Sequence, residues 1–388
     1  MHKIPTDKIS VVFVITSLGT GGAQMMLYKL LTRIDREKFS PTVVTLIPGG
    51  MFSERIAELD VPICDLGMRQ GMPNISSLMR LRKLLRQLQP KVIQGWMYHG
   101  NLMASLGKFM SRGDATVFWS VHQSLASISA EKKVLAMLIR ITARLSKSVK
   151  TVVFSAESGL KQHLAVGYHD KNVLAIRDNF DLESFKVTDA KLHLRQTLGL
   201  TEESVLVASV ARYAPMKDHA NLVSAAALLT TDFTNLHFVC VGPGVDSKNQ
   251  KLTDQIAQLK LEERIHLLGE RRDIQSILSE VDIFALSSAF SESFPNVLGE
   301  AMACHVPCVT TDVGDAYAIV GDVGIVVPPG DSIALAAGLR KLLEMSSQQR
   351  ADLGRQSRLH IEEQFNLDGA DSFVRKYERL YEDAQIST

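Results

Sequence analysis

The stretch that decides the fold is ISVVFVITSLGTGGAQMMLYKLLTRIDREKFSPTVVTLI, residues 9–47. It begins with a short β-branched apolar run at 9–17, which predicts a buried strand. A glycine-rich turn and an amphipathic segment at 24–34 follow, and a second apolar strand is predicted at 41–47. Because both strands are apolar throughout and a helix joins them, the stretch predicts a parallel sheet whose two faces are covered by helices.

The same alternation continues along the chain and is too long for one ordinary doubly wound sheet. The polar, turn-rich segment 178–190 is the best point of division. We therefore predict an α/β protein with two Rossmann-like doubly wound domains facing a cleft, at 1–185 and 186–365, and a helix in 366–388 that packs back on the first domain. The other predicted strands are 62–65, 91–95, 115–121, 150–154, 172–176, 204–210, 236–241, 264–268, 282–286, 307–311 and 323–327.

Composition narrows the class of protein. The 388 residues include 43 lysines and arginines against 42 aspartates and glutamates, and this balance argues against a nucleic-acid partner. No apolar run approaches the roughly 18 residues that span a bilayer. Lys3 and Lys8 precede the first apolar run as in a signal peptide, but that run is short and leads into a glycine turn, which favours a buried strand. The four cysteines lie in apolar contexts, which favours buried free thiols in a reducing cytosol over disulfides or a zinc site.

The first candidate site is the loop SLGTGGAQ at 17–24. Gly19, Gly21 and Gly22 permit positive φ angles and close backbone approach, and the helix start after them suits an anion. A plain tight turn is the alternative explanation. Gln24 stands where a G-x-G-x-x-G motif has its third glycine, and no acidic residue follows on the second strand. This departure argues against a nicotinamide-dependent dehydrogenase.

Two loops in the second half of the chain follow predicted strands. In ARYAPMKD, residues 211–218, Arg212 and Lys217 suit a diphosphate, because a guanidinium binds as a fork and an ammonium as a point charge. Two solvated loop cations are the alternative. The loop VGPG, with Gly242, is either a turn or a nucleotide-contacting loop.

The segment SESFPNVLGEAMA, residues 291–303, carries two carboxylates with seven residues between them. Pro295 suits the first position of a helix, where its missing N–H costs little, and the other backbone N–H groups within 294–297 would meet a phosphate there. Glu300 lies among apolar residues, so its burial needs a partner, and two ribose hydroxyls would be one. Glu292 is placed to reach a sugar. The alternative is an ordinary surface pair of carboxylates.

His122 follows the strand predicted at 115–121, so it lies at the carboxyl edge of a sheet. A histidine there is either a catalytic residue or a structural one, and His99 holds a similar place. No cluster of histidines or carboxylates has the spacing of metal ligands, so we predict no metal site.

The segment EKKVLAMLIRITARLSKSVK, residues 131–150, predicts a basic amphipathic helix. When it is projected at ~100° per residue, its six basic residues fall within an arc of about 120°. Such a helix either lies on an anionic membrane surface or packs on the core with a solvated basic face. The apolar residues expected on the opposite side are Val134, Leu135, Leu138, Ile141 and Leu145.

Taken together, these motifs resemble the retaining glycosyltransferases of the GT-B fold, in the large family that includes sucrose synthase and many bacterial polysaccharide mannosyl- and N-acetylhexosaminyltransferases. ARYAPMKD resembles the family's arginine–lysine loop, SESFPNVLGEAMA its E-x(7)-E motif, and GTGGAQ its N-terminal glycine loop. Residues 268–288 and 312–331 resemble the segments that flank the E-x(7)-E motif. The resemblance spans essentially the whole chain and is strongest over 209–331.

The resemblance implies a role for each candidate residue. Arg212 and Lys217 would hold the donor diphosphate and stabilise the leaving group. Glu292 would contact the donor sugar, Glu300 would bind the ribose hydroxyls, and His122 would lie near the sugar. The remaining donor contacts that the resemblance implies are Gly21, Gly22, Gly242, Arg271 or Arg272, and the backbone of Phe294, Pro295, Asn296 and Val297.

Several positions depart from the family pattern. Ser293, His305 and Asn179 stand where the family usually has glycine. Gly299 replaces an apolar residue, and Ala318 occupies a position that is often acidic. These departures bear on the sugar that is recognised more than on the nucleotide-diphosphate fold.

The resemblance implies a retaining transfer of a hexose or N-acetylhexosamine from a UDP- or GDP-sugar, without a covalent enzyme intermediate and without another cofactor. The expected acceptor is a saccharide, lipid-linked at the cytoplasmic face of the membrane, with 131–150 as the surface that meets anionic lipid. A GT-B-fold sugar-nucleotide epimerase would instead convert the donor without an acceptor. A non-catalytic binding protein would bind the donor and leave it intact.

Overall fold

A computed structural model describes residues 8–19, 21–68, 75–125, 127–129, 131–187 and 193–386. The chain divides into two compact units. The first unit comprises Met1–Asp178 and Asp368–Thr388, and the second comprises Asn179–Leu367. The sequence prediction drew these boundaries at residues 185 and 365.

The first unit is built on a seven-stranded sheet with the order β3-β2-β1-β4-β5-β6-β7, and the strand pairs are parallel. The order reverses between β1 and β4, so the switch point of this sheet lies there. The strands are β1 (Ile9–Ile15), β2 (Phe39–Thr45), β3 (Ile63–Asp65), β4 (Val92–Trp96), β5 (Thr116–Val121), β6 (Thr151–Phe154) and β7 (Val173–Ala175). The helices that join them are α1 (Gly22–Arg33), α2 (Met51–Ala57), α3 (Ile75–Leu88), α4 (Met97–Ser111), α5 (Lys133–Leu145) and α6 (Glu157–Ala165).

The second unit is built on a six-stranded sheet with the order β10-β9-β8-β11-β12-β13, again parallel. Its switch point lies between β8 and β11. The strands are β8 (Val205–Val210), β9 (Leu236–Val241), β10 (Ile265–Leu267), β11 (Ile283–Leu286), β12 (Cys308–Thr311) and β13 (Ile325–Val327). The helices are α7 (Leu194–Thr197), α8 (His219–Leu229), α9 (Gln250–Gln258), α10 (Ile274–Leu278), α11 (Asn296–Ala303), α12 (Ala316–Val320), α13 (Ser332–Leu343) and α14 (Ser347–Phe365).

The last helix, α15 (Phe373–Ile386), returns to the first unit. The ring of Tyr381 is fully buried and packs edge-on against Phe13, Phe39 and Phe118. Its hydroxyl donates a hydrogen bond of 3.0 Å to Oε1 of Gln94 in β4. The buried hydroxyl is therefore satisfied, and α15 is part of the core of the first unit.

The two parallel Rossmann-like sheets that the sequence predicts are confirmed. Each of the thirteen predicted apolar runs overlaps one strand of the structure, and β2 and β4 extend beyond their runs by two residues and one residue. The strands are recognisable because parallel strands are buried on both faces and read as continuous apolar runs. The four cysteines are free, and Cys64 is half-buried where the other three are buried. Among the described residues, no helix has the length and apolar content needed to cross a bilayer.

The helix predicted at 131–150 is shorter, and its faces differ from the prediction. Helix α5 packs on the core through Leu138, Ile139 and Ala143. Val134 and Leu145, which the projection placed on the apolar side opposite the basic residues, are exposed. A helical projection gives the relative angles of the side chains, but the sheet decides which arc is buried.

Candidate functional site

The predicted cations and carboxylates of the second unit follow the two strands at its switch point. Lys217 ends a 3-10 turn, Pro215–Lys217, in the loop after β8. Glu292 lies in the loop after β11, the strand that pairs with β8. Helix α8 begins at His219 and α11 at Asn296, so both helices start at this edge of the sheet. The site therefore combines side-chain charges with the positive ends of two helices.

Lys217 and Glu292 form an ion pair through Nζ and Oε1. The same Oε1 accepts a hydrogen bond of 2.7 Å from Oγ of Ser288. Only 15% of the Lys217 side chain and 10% of the Glu292 side chain are exposed. Removal of one member of such a buried pair leaves the other charge uncompensated, so the two positions depend on one another.

The loop that carries Glu292 is held by a neighbouring loop. Ser291 has a positive φ of 57°. Gly314 faces this loop so closely that a Cβ there would lie 2.5 Å from the carbonyl oxygen of Glu292. The amide of Asp315 donates a hydrogen bond of 2.9 Å to the carbonyl of Ser293. Residues 312–315 thus fix the backbone beside the buried carboxylate, and Gly314 is the residue that permits the approach.

Arg212 is exposed, and its guanidinium lies 3.8 Å from Sδ of Met216. Gly242, which follows β9, has a φ of 149°, and a Cβ on it would lie 2.2 Å from the carbonyl oxygen of Ala211. The loops after β8 and β9 therefore meet at Gly242. This position accepts no side chain without movement of the backbone that carries Arg212.

Helix α11 begins at Asn296, with Pro295 as its N-cap residue. Oδ1 of Asn296 is buried and has no hydrogen-bond partner. The ring of Phe294 is buried and stacks on Phe180, with centroids 5.7 Å apart, so this side chain belongs to the core. Glu300 is half-buried in the second turn, and Val297 is also half-buried. Of the predicted donor contacts here, Asn296 has a buried polar atom that an incoming hydroxyl or amide could satisfy.

Gly299, one of the departures from the family pattern, has a packing reason. A Cβ at this position would lie 2.1 Å from Cζ of Phe180. Phe180 follows the division between the units and packs against Phe294 and Phe365. The glycine therefore makes room for the Phe180 ring against the helix that carries Glu300.

Arg271 is exposed and is engaged locally. Its Nε donates a hydrogen bond of 2.8 Å to Oδ1 of Asp273, and its Nη2 lies 2.5 Å from Oδ2 of the same carboxylate. The Arg271 guanidinium holds the pKa of the Asp273 carboxyl below its usual range. Arg272, the alternative base-framing residue, is exposed beside it.

The glycine loop of the first unit differs from the prediction in its backbone. Gly21, the N-cap residue of α1, has a φ of 168°, which is extended backbone, and Gly22 opens the helix. Neither glycine has the left-handed φ that the sequence analysis expected, so that part of the prediction is wrong. Close approach occurs instead at Gly50, where a Cβ would lie 2.3 Å from the carbonyl carbon of Leu18.

His122 lies at the carboxyl end of β5 and is buried. Its ring stacks on Trp96, the last residue of β4, with centroids 4.6 Å apart. Nδ1 lies 3.9 Å from Oδ1 of Asp178, and neither ring nitrogen has a hydrogen-bond partner. Burial lowers the pKa of His122 to about 3. The ring is therefore neutral at pH 7.

Trp96 connects this histidine to the glycine loop. Its Nε1 donates a hydrogen bond of 2.8 Å to the carbonyl of Ala23 at the start of α1. His99, the second histidine candidate, is half-buried in the first turn of α4, and burial lowers its pKa. Gly21, Gly22 and His122 thus lie at the switch point of the first sheet. Trp96 connects them, because it donates a hydrogen bond beside the two glycines and stacks on the histidine.

The candidates therefore form two groups, one in each unit. Within the second unit the structure joins Lys217 directly to Glu292. Sequence reasoning missed Ser288 and Trp96, and it treated Asp178 as part of a hinge turn instead of a site. Ser288 lies two residues after β11, and Trp96 is the last residue of β4. Asp178 is the last residue before the chain passes to the second unit. Their places at or near the carboxyl ends of strands were the signal that could have identified Ser288 and Trp96. In the described part of the chain, no group of three or more histidines, cysteines or carboxylates is placed to hold a metal ion.

The two sheets and the loops at their switch points define a GT-B fold. The crystal structure of Anabaena HepE in complex with UDP and glucose superposes with a TM-score of 0.83 at 20% identity, covering 97% of this chain and 100% of that one. Sucrose-phosphate synthase from Thermosynechococcus elongatus superposes with a TM-score of 0.79 at 15% identity, covering 98% and 100%.

Residues 191–360 match the family described as glycosyl transferases group 1, which confirms the resemblance that the motifs predict. N-acetyl-alpha-D-glucosaminyl L-malate synthase from Bacillus anthracis is 29% identical over 192 residues, 49% of this chain and 48% of that protein. The N-acetylgalactosaminyltransferase of Campylobacter jejuni that is named for a diacetylbacillosaminyl-diphospho-undecaprenol acceptor is 34% identical over 159 residues, 40% of this chain and 41% of that protein. The aligned part of the chain thus spans about half the length of these relatives or less.

Proposed function

We propose that this protein is a glycosyltransferase that moves a hexose or N-acetylhexosamine from a nucleoside-diphosphate sugar to a saccharide acceptor. The observation that carries the proposal is the buried Lys217–Glu292 pair, which lies between the starts of α8 and α11 at the switch point of the second sheet. Fixed positive groups at such a place suit the diphosphate of an activated sugar.

The proposed chemistry follows from where charge develops. Cleavage of the anomeric C–O bond puts positive charge on the sugar ring and negative charge on the departing diphosphate. Lys217 and the exposed Arg212 would stabilise the diphosphate, because cations that are already in place need no reorganisation in the transition state. Glu292 would hold Lys217 and contact the donor sugar, and Glu300 would bind the ribose. The donor is a UDP- or GDP-sugar, and the transfer proceeds with retention and without a covalent enzyme intermediate.

The proposal also specifies the chemical class of the acceptor. Two relatives are named for diphospho-undecaprenol acceptors, from Campylobacter jejuni and Escherichia coli. A lipid-linked saccharide therefore fits as the acceptor class, with surface polysaccharide as the product. This assignment would place the protein in the cytoplasm, peripheral on the inner face of the cell membrane.

A panel of UDP- and GDP-sugars tests the function. Donors that raise the melting temperature are incubated with and without a synthetic lipid-diphosphate saccharide, and both free nucleoside diphosphate and product linkage are measured. Acceptor-dependent release with an α-linked product from an α-linked donor is expected. Conversion of the donor without acceptor would identify an epimerase, and binding without turnover of any pair would identify a binding protein. Either result contradicts the proposal.

A further inference from the structure

The first unit has a markedly uneven distribution of charge. Residues 75–150 contain thirteen lysines and arginines but only two carboxylates, in a chain whose formal charge is +1. The two carboxylates are Asp114 and Glu131. The exposed basic residues on and beside α3, α4 and α5 are Arg80, Lys83, Arg86, Lys108, Arg112, Lys132, Lys133, Arg140, Arg144 and Lys147.

The three helices lie side by side on one face of the sheet. Gly107 of α4 lies so close to α3 that a Cβ on it would be 2.8 Å from the methyl carbons of Leu81 and Leu85. Arg82 of α3 donates a hydrogen bond of 3.2 Å to the carbonyl of Met110 at the end of α4. Leu138 of α5 belongs to the same hydrophobic cluster. The basic residues of the three helices therefore share one surface, which we call the α3–α5 surface.

Large apolar side chains are exposed on the same three helices. Ile75 of α3 is 81% exposed, Phe109 of α4 is 82% exposed and Val134 of α5 is 60% exposed. Met79 and Met137 are also exposed. Single exposed apolar residues are ordinary, but repeated ones among cations on adjacent helices mark an interaction surface.

Helix α5 shows how the two kinds of side chain are arranged. At ~100° per residue, Val134, Met137 and Leu145 fall within about 80° of one another, and Arg140 and Arg144 lie directly beside them. Both arcs point away from the core, which is contacted by Leu138 and Ile139. An exposed apolar stripe that is bordered on one side by arginines fits a helix that lies in a lipid–water interface.

We propose that the α3–α5 surface docks on an anionic phospholipid bilayer, with Phe109, Val134 and Met137 entering the interface and the arginines and lysines contacting lipid phosphates. The charge identifies the partner class, because an anionic surface complements the basic excess. The exposed apolar residues favour lipid over nucleic acid, whose phosphate backbone would not bind them. This inference deepens the proposed function, because a lipid-linked acceptor is presented at such a surface.

Vesicle co-sedimentation of the full-length protein tests the surface. Vesicles with about one-third anionic phospholipid are compared with neutral vesicles, at low and high salt. Binding to the anionic vesicles that weakens with salt is expected. The double variant Arg140→Gln/Arg144→Gln should bind on the order of thirtyfold more weakly, since each cation near an anionic surface contributes about fivefold. The variant Phe109→Ser/Met137→Ser should lower binding to anionic vesicles about tenfold or more, because the buried apolar area is lost.

Matched controls lie in the second unit. Lys251→Gln/Lys341→Gln removes two exposed cations, and Ile333→Ser/Leu359→Ser removes two exposed apolar side chains. Both controls should bind as the wild type does. No binding at low salt, equal binding to neutral vesicles, or equal losses in the controls would overturn the inference. A concentration-dependent dimer that the α5 variants abolish would also overturn it, because the partner would then be a second copy of the chain.

The test is separate from that of the proposed function. Transfer of the sugar to a water-soluble acceptor analogue, measured without vesicles as the nucleoside diphosphate that is released, should be the same in the wild type and in the α3–α5 variants. If that turnover is present and vesicle binding is absent, only the docking surface is contradicted. If vesicle binding is present and turnover is absent with every donor, only the proposed transfer is contradicted.

Discussion

The switch point of the second unit is built on an ion pair, whereas that of the first unit is built on stacked rings. In the second unit, Lys217 and Glu292 are joined and buried. In the first, His122 stacks on Trp96 and is kept neutral by burial. The same topology thus supports two kinds of site, because loops at a carboxyl edge can vary while the strands beneath them stay fixed. The first switch point thus presents a neutral, stacked ring where the second presents charged side chains.

The largest expected effect is in the charged site. Lys217→Ala and Arg212→Ala should each lower kcat/KM. The decrease should correspond to a loss of about 2–4 kcal/mol of transition-state stabilisation, as for other groups that stabilise developing negative charge. Steady-state kinetics with the donor found in the panel measure the loss. Lys251→Ala, an exposed cation in α9, is the control and should leave the kinetics unchanged.

Because Lys217 is paired with Glu292, its variant needs a check of folding. Thermal unfolding of Lys217→Ala and Lys217→Met separates loss of chemistry from loss of structure, since methionine keeps most of the buried volume. Turnover within threefold of the wild type in both the Arg212 and Lys217 variants would refute the roles given to these cations.

The next largest effect is on stability, through the packing of α11 against Phe180 in the second unit. Gly299→Ala should destabilise the protein by about 2 kcal/mol, because the new Cβ meets the Phe180 ring in a packed core. Urea unfolding measures the change. The double variant Gly299→Ala/Phe180→Leu should lose less than the sum of its single variants, since the smaller side chain removes the clash. Gly113→Ala, whose Cβ would make ordinary contact at 3.7 Å, is the control. Strict additivity of the two changes would contradict the packing argument.

The buried, neutral His122 should make the free energy of unfolding depend on pH in the acid range. His122 has a folded pKa of about 3 against a usual value of 6.5, so the unfolded chain binds a proton first as the pH falls. Above pH 6.5 the titration of His122 does not change the free energy of unfolding. Below pH 6.5 it lowers the free energy of unfolding, by about 2 kcal/mol at pH 5. His122→Gln removes that contribution. The difference in unfolding free energy between pH 7.5 and pH 5 should therefore be smaller in the variant by about 2 kcal/mol. An equal difference in both proteins would show that the ring is already charged or already exposed.

The sequence is informative about the strands and the charged loops for a common physical reason. Strands such as β1 and β8 are recognisable from local apolar runs. Because the loops that follow parallel strands meet at the same edge of the sheet, Lys217 and Glu292 are then expected to lie together. The Trp96–His122 stack was not predictable in this way, because it depends on the register between β4 and β5. The exposed stripe of α5 was missed because which arc of a helix faces the sheet is decided by packing rather than by period.

The glycines show the same limit. The glycine-rich loop that contains Gly21 and Gly22 predicts positive φ angles, but Gly21 is extended and Gly22 is helical. Gly50 and Gly299 are required by what lies opposite them, namely Leu18 and Phe180. Because these neighbours are distant in sequence, no local pattern identifies them.

The smallest expected effect compares the ends of two helices, one in each unit. His305 follows α11 with a φ of 62°, and Arg112 follows α4 with a φ of 55°. Both positions are left-handed helix ends, where glycine avoids the strain that a Cβ causes. His305→Gly should raise the unfolding free energy by about 1 kcal/mol or less, because relief of strain is partly offset by the greater freedom of glycine in the unfolded chain. Arg112→Gly should give a similar gain in urea unfolding. A loss at His305 alone would show that its side chain supports α11, and the second unit would then depend on that contact as well as on its ion pair.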